Sequence, residues 1–322
     1  MNILVMGAGA IGSLFGGLLA ENGNKVIFIG RQPHIEKIQK HGLKIKGLIE
    51  KQVSKNIRAE TNLKNLLTEN FDLVLLTVKA YDAKKASIQI KNLVKKKTFV
   101  LCLQNGLGVE DEVSQILGKN HVLRAVTFNG AYIDKPGTVT CTGLGRTLIG
   151  EPYSQNLKKE TLGIVKVFEE AGFLAEASAN ISEEVWIKTL VNVGINPYGA
   201  LTGKRNGELI EDSKIRELMV DTVKEGVKVA EKMGINLKED PIRLMLKTAE
   251  ATAKNLNSML QDLIKGKKTE IDYLNGAIVK LGKKLGVATP LNRLLTVLVK
   301  SFEERFRREN QIWSLNIHQK VL

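Results

Sequence analysis

The run Gly7-Ala8-Gly9-Ala10-Ile11-Gly12 restricts the fold more than any other segment of the chain. It follows an apolar run at residues 3–6 that reads as a strand, and it opens an apolar helix over 13–20. Asn22-Gly23 ends that helix, and a second apolar strand is read over 25–29. A strand, a glycine turn, a helix and a second strand make one parallel βαβ unit. In such a turn Gly7 permits the tight bend, Gly9 lets a pyrophosphate approach the backbone, and Gly12 lets the helix pack on the strand. The free N–H groups at the helix start favour phosphate. Gly7, Ala8, Gly9, Ala10, Ile11 and Gly12 are therefore the expected dinucleotide cradle.

The end of the second strand reports on which dinucleotide. A carboxylate there would hold a ribose 2′-hydroxyl, but this strand runs into Gly30-Arg31 with no acid. A guanidinium at that place suits a 2′-phosphate, so Arg31 points to NADP(H). Lys79 follows a buried-type strand over 72–78, and Asn105 follows another over 99–103. Both fall at carboxyl ends, where open parallel sheets bind ligands. Asn105-Gly106 also suits a simple turn.

Further strands are read over 122–132, 138–142, 146–149 and 173–175, with helices over 83–94, 109–117 and 157–171. The stretch 43–57 reads as extra strands or a hairpin. From Ser182 the pattern changes to helical periodicity, with segments at about 183–196, 213–233, 241–263, 271–285 and 290–308. The expected fold is α/β: a Rossmann-type doubly wound parallel sheet domain over 1–179, then an all-helical domain over 180–322. A chain of 322 residues suits two domains.

The net charge of +14 is largely lysine, with dense stretches at 91–97 and 265–268. No nucleic-acid motif accompanies it, so the expectation is a solvated basic surface that steers anionic ligands, with no nucleic-acid partner. Two cysteines, Cys102 and Cys141, form no framework, and with four scattered histidines they give no metal-ligand spacing. No metal is expected, and a cytoplasmic setting fits. The apolar start lacks a basic leader region, so it is not read as a signal peptide, and no run is long enough to span a membrane.

In the helical half, Lys188, Asn192 and Asn196 recur every four residues within an apolar helix, so they share one face. Asparagine is a poor helix former, and a merely solvated face would favour Glu and Lys. Asn255, Ser258 and Asp262 form a second stripe, which an ordinary amphipathic helix explains equally well. Thr269 suits a helix cap with Glu270 and Asp272 as first-turn acids. Spacing alone does not single out Glu270.

Several blocks occur in order: the glycine turn, Val78-Lys79-Ala80, Gln104-Asn105-Gly106-Leu107-Gly108, Trp186-Ile187-Lys188 through Asn192 to Ile195-Asn196-Pro197, Asn255 to Asp262, and Thr269 to Gly276. Together they resemble the ketopantoate reductases (2-dehydropantoate 2-reductases) over nearly the whole chain. The resemblance implies a second domain of the 6-phosphogluconate dehydrogenase C-terminal type. It implies NADPH-dependent reduction of 2-dehydropantoate to (R)-pantoate, in pantothenate and coenzyme A biosynthesis, and a homodimer through the helical domain. Carried over, Lys188 is the general acid and Glu270 a catalytic residue near the cofactor. Asn105 touches cofactor and substrate; Asn192, Asn196, Asn206, Asn255 and Ser258 are similar to the substrate-binding set, and Ala131 offers backbone to the cofactor. Gln104 stands where some members carry histidine, and the loop Thr202-Gly203-Lys204-Arg205 before Asn206 departs from the family pattern. The alternatives are a related reductase of another branched 2-oxo acid and a noncatalytic NADP-binding regulator.

Overall fold

The computed structural model describes residues 1–319; residues 320–322, the end of the expected helical domain, lie outside the described residues. The chain divides into two compact units: Met1–Gln104 with Gly108–Glu184, and Asn105–Leu107 with Val185–Leu322.

The first unit holds β1 (Asn2–Met6), α1 (Ala10–Glu21), β2 (Lys25–Ile29), α2 (Gln32–His41), β3 (Leu43–Gly47), β4 (Lys51–Val53), β5 (Ile57–Glu60), β6 (Leu73–Leu76), α3 (Ala80–Ile90), β7 (Phe99–Cys102), α4 (Val109–Leu117), β8 (Val122–Thr127), β9 (Gly130–Lys135), β10 (Thr138–Gly143), β11 (Thr147–Gly150), α5 (Lys159–Glu170) and β12 (Ala175–Ala177). Eight strands form the main sheet in the order β12-β11-β8-β7-β6-β1-β2-β5. It is parallel except where β11 runs antiparallel to β8. The chain leaves β1 towards β2 and returns on its other side as β6, so the order reverses beside β1. Ligands of such sheets bind at the carboxyl ends around that reversal. The central strands are buried on both faces and read as continuous apolar runs, as in Leu73–Leu76. Phe15 stacks on Phe173 at 4.3 Å between centroids, fixing α1 to the core.

One helix is new here, and two expectations from the sequence change. The helix α2 has no counterpart among them, because Pro33 interrupts the pattern; the proline sits at the helix start, where it is tolerated. The stretch 43–57 divides: β3 and β4 join a separate four-stranded sheet, β4-β3-β10-β9, while Ile57 begins the edge strand of the main sheet. The single strand expected over 122–132 also divides between the sheets, as β8 and β9. Asn129 makes the corner, its Nδ2 donating to Thr127 Oγ1, Gly145 O and Thr147 Oγ1.

The second unit contains most of α6 (Ile181–Thr202), then α7 (Asn206–Glu211), α8 (Ser213–Lys232), α9 (Pro241–Ala251), α10 (Ser258–Ile264), α11 (Asn275–Leu285) and α12 (Pro290–Gln319). The helix expected over 241–263 is two helices. α9 stops at Thr252, and Asn257 caps α10 by accepting from Leu260 N–H at 3.0 Å. A side-chain oxygen at an N-cap replaces the absent intrahelical partner, so a new helix starts where the old one could have continued. Among the described residues, no helix is long and apolar enough to cross a membrane.

Candidate active site

The glycine turn follows β1. Gly7 and Ala8 donate their N–H groups to the Ile29 carbonyl at 3.1 and 2.7 Å, so the turn is tied to the end of β2. Gly7 has φ +115°, and a Cβ there would meet Val78 N at 2.6 Å. A Cβ at Gly12 would run into the Gly7 carbonyl and the Thr77 hydroxyl. These two glycines have internal reasons. Gly9 differs: it is exposed, and its Cβ would meet only Gly7 O, at 4.0 Å. No contact within the protein demands glycine there, which fits a position kept bare for a ligand to approach. Gly9 is also the N-cap of α1, with no side-chain cap, so the first-turn N–H groups of Ala10 and Ile11 have no capping oxygen. The residues present therefore fit a dinucleotide pyrophosphate. Thr77, which sequence reasoning passed over, donates its hydroxyl to Gly7 O at 2.8 Å and locks the turn against the end of β6.

The other first-unit candidates follow the same sheet edge. Arg31 is exposed and forms the N-cap of α2, directly after β2. Lys79 is half-buried and forms the N-cap of α3, after β6. Ala131 belongs instead to the four-stranded sheet, opposite Cys141 in the β9–β10 pair. Gln104, at the end of β7, donates from Nε2 to the Leu76 and Val78 carbonyls at 2.7 and 3.1 Å, cross-bracing two strand ends. Burial pushes the Cys102 thiol up to about 12, which favours the neutral thiol over the thiolate.

In the second unit, Lys188, Asn192 and Asn196 lie on successive turns of α6. Lys188 and Asn192 are half-buried and Asn196 is buried, while Val185, Leu190, Val191, Val193 and Ile195 pack into the helical core. The polar stripe is therefore no solvated face. Asn105 belongs to this unit, and its Nδ2 lies 3.3 Å from Glu270 Oε2. The backbone repeats the tie: Leu107 N–H donates to Tyr273 O at 2.9 Å. Gly106, at φ +91°, is the residue that lets this loop approach, since a Cβ would collide with the same carbonyl.

Asn206 and Asn255 are also brought together. Asn206 N–H donates to Asn255 O at 3.0 Å, and Asn206 Nδ2 donates to Thr252 Oγ1 at 2.8 Å. The shared helical stripe expected for Asn255 and Ser258 is not what forms: Asn255 lies in the turn before α10, and Ser258 is the exposed first residue of that helix. Asn257, not singled out from sequence, fills the notch left by Gly199 on α6. A capping asparagine two residues after Asn255 was the signal available. Among the described residues, no group of His, Cys, Asp or Glu could hold a metal ion.

Comparison with known proteins bears on these arrangements. Residues 3–153 match the family model described as ketopantoate reductase PanE/ApbA, and residues 180–303 match its C-terminal counterpart. A 2-dehydropantoate 2-reductase of Pyrococcus horikoshii is 41% identical over 303 residues, covering 94% of this chain and 98% of that one. The crystal structure of a PanE/ApbA family ketopantoate reductase from Ralstonia eutropha JMP134 has a TM-score of 0.88 at 32% identity, covering 95% of this chain and all of that one. A D-mandelate dehydrogenase, solved as a ternary structure with NADH and anilino(oxo)acetate, has a TM-score of 0.85 at 31% identity, covering 95% and 99%. With both halves matched and a relative this similar over nearly its full length, the chain belongs to the ketopantoate reductase family of oxidoreductases.

Proposed function

We propose that this enzyme reduces 2-dehydropantoate to (R)-pantoate with NADPH, on the route to pantothenate and coenzyme A. The observation that carries the reading is the Lys188–Asn192–Asn196 stripe on a helix otherwise packed into the core. When bound, reduced nicotinamide supplies the hydride that C2 of the substrate accepts. Negative charge then grows on the C2 oxygen. Lys188 meets it with an ammonium that both stabilises the charge and donates the proton. Asn192 and Asn196 donate and accept without adding charge, which suits orienting a carbonyl and a hydroxyl. Asn206, Asn255 and Ser258 hold the substrate's carboxylate end, with Ser258 at the start of α10 favoured by the helix N-terminus. Asn105 and Glu270 serve the nicotinamide side, and Ala131 its backbone contact. The glycine turn and Lys79 take the pyrophosphate half, and Arg31 the 2′-phosphate.

A second reading is reduction of another 2-oxo acid. It is favoured by the likeness to D-mandelate dehydrogenase, a protein named with NADH. Steady-state oxidation of NADPH with 2-dehydropantoate, repeated with a panel of 2-oxo acids and with NADH, separates the two. Highest kcat/KM for 2-dehydropantoate with NADPH is expected. A higher value for an aromatic 2-oxo acid, or for NADH, overturns the assignment of substrate or of cofactor.

A further inference from the structure

Pro197 lies inside α6, one residue after Asn196. Proline has no N–H, so the Val193 carbonyl four residues earlier lacks its helical donor. Val193 is completely buried, where an unpaired carbonyl is costly. The donor comes from 82 residues away: Asn275 Nδ2, 3.2 Å from Val193 O.

Asn275 is the first residue of α11 and is also fully buried. Its orientation is set from behind. Its Nδ2 donates at 3.0 Å to Asn292 Oδ1 as well. Asn292 is itself fixed, because its Nδ2 donates to Thr222 O at 3.0 Å and to Glu225 Oε2 at 2.8 Å. Turning the Asn275 amide over would set its oxygen against two acceptors. The amino group must therefore face Val193.

Val193 stands between Asn192 and Asn196 in α6. Asn275 ends the strap that begins at Glu270, and the same strap receives Asn105 on the Glu270 carboxylate and Leu107 N–H on the Tyr273 carbonyl. We infer that Pro197 and Asn275 act as a positioning pair: the proline vacates one carbonyl on the α6 helix, and Asn275 plugs into it, setting the Glu270 strap in register with Lys188 and the asparagines. Asn275 is a positioning residue and touches neither substrate nor cofactor. The inference rests on the proposed roles of Lys188 and Glu270 in the reduction.

The test is a double-mutant cycle with Asn275→Ala, Pro197→Ala and the double variant. Alanine at 197 restores an N–H for Val193. Asn275→Ala should therefore lower Tm more in the proline background than in the alanine one. Equal losses overturn the pairing. Below the lowest Tm, folded Asn275→Ala should lose about 10- to 100-fold in kcat, the scale of a small misplacement of reacting groups. Its kcat–pH profile should shift as well. The double variant should regain stability without regaining kcat; it carries the kinetic test if the single variant does not fold. Wild-type kcat and pH profile in either folded protein overturn the positioning role. Undiminished kcat in Lys188→Ala overturns the underlying reading, and the positioning role with it, while the stability coupling would still be measured.

Discussion

The Asn105 amide donates to the Glu270 carboxylate across 3.3 Å, joining two residues 165 positions apart within one compact unit. The contact restrains which way the carboxylate faces. Asn105→Ala should lower kcat/KM by about 10- to 100-fold, the range of a hydrogen bond to a charged group. Asn105→Asp should be at least as damaging, because it sets a second carboxylate against the first at hydrogen-bond distance. Steady-state kinetics against pH checks both. Unchanged kcat/KM in the alanine variant would remove Asn105 from the site.

The glycine turn separates folding from binding. Gly12→Ala drives a methyl into the Gly7 carbonyl and the Thr77 hydroxyl, so it should lower Tm and expression. Gly9→Ala meets nothing closer than 4.0 Å, so Tm should hold while dinucleotide affinity falls. Thermal melts with fluorescence titration of NADPH distinguish these effects. Full NADPH affinity in Gly9→Ala would place the pyrophosphate elsewhere.

Arg31 is exposed at the end of β2, where no acid stands. Arg31→Ala should weaken NADPH binding by about 10- to 100-fold, as expected for a lost charge-assisted hydrogen bond, and leave NADH binding nearly untouched. Parallel titrations with both cofactors decide it. Equal losses would refute a 2′-phosphate contact.

His34 gives the first unit a sensitivity to acid. Gly137 N–H donates to its Nδ1 at 3.0 Å, so the neutral ring carries its proton on Nε2 and offers it to Ser13 Oγ, also at 3.0 Å. Burial lowers its pKa below the ordinary 6.5. The unfolded chain then binds more protons than the fold below pH ~6.5, so stability should fall as pH drops through that value and level off below the folded pKa. Denaturant titrations across pH 5–8 should show the decline in wild type and a shallower one in His34→Gln. The same slope in both would clear His34 of the effect.

Local patterns made much of this legible. The glycine turn, the buried strands and the period-four stripe of Lys188, Asn192 and Asn196 are short-range signals, and each formed as its spacing implied. What escaped depends on contacts that hydrophobic periodicity does not register. Whether 241–263 is one helix or two turns on Asn257 capping α10 while Asn206 draws on the Thr252–Asn255 turn, and periodicity sees neither. The second sheet escaped because it joins the β3–β4 and β9–β10 hairpins through a parallel β3–β10 pairing between segments distant in the chain. Pro197 reads as a helix end, yet α6 continues through it, and the Val193 carbonyl it leaves without a helical donor lies 3.2 Å from Asn275 Nδ2. Glu270 could not be singled out by spacing, since its partner Asn105 follows a strand far upstream.

The central claim is that Lys188 delivers the proton. Measured by single-turnover and steady-state reduction of 2-dehydropantoate, Lys188→Ala should lower kcat at least ~100-fold while NADPH binds with wild-type affinity. A kcat near wild type in that variant would contradict the account.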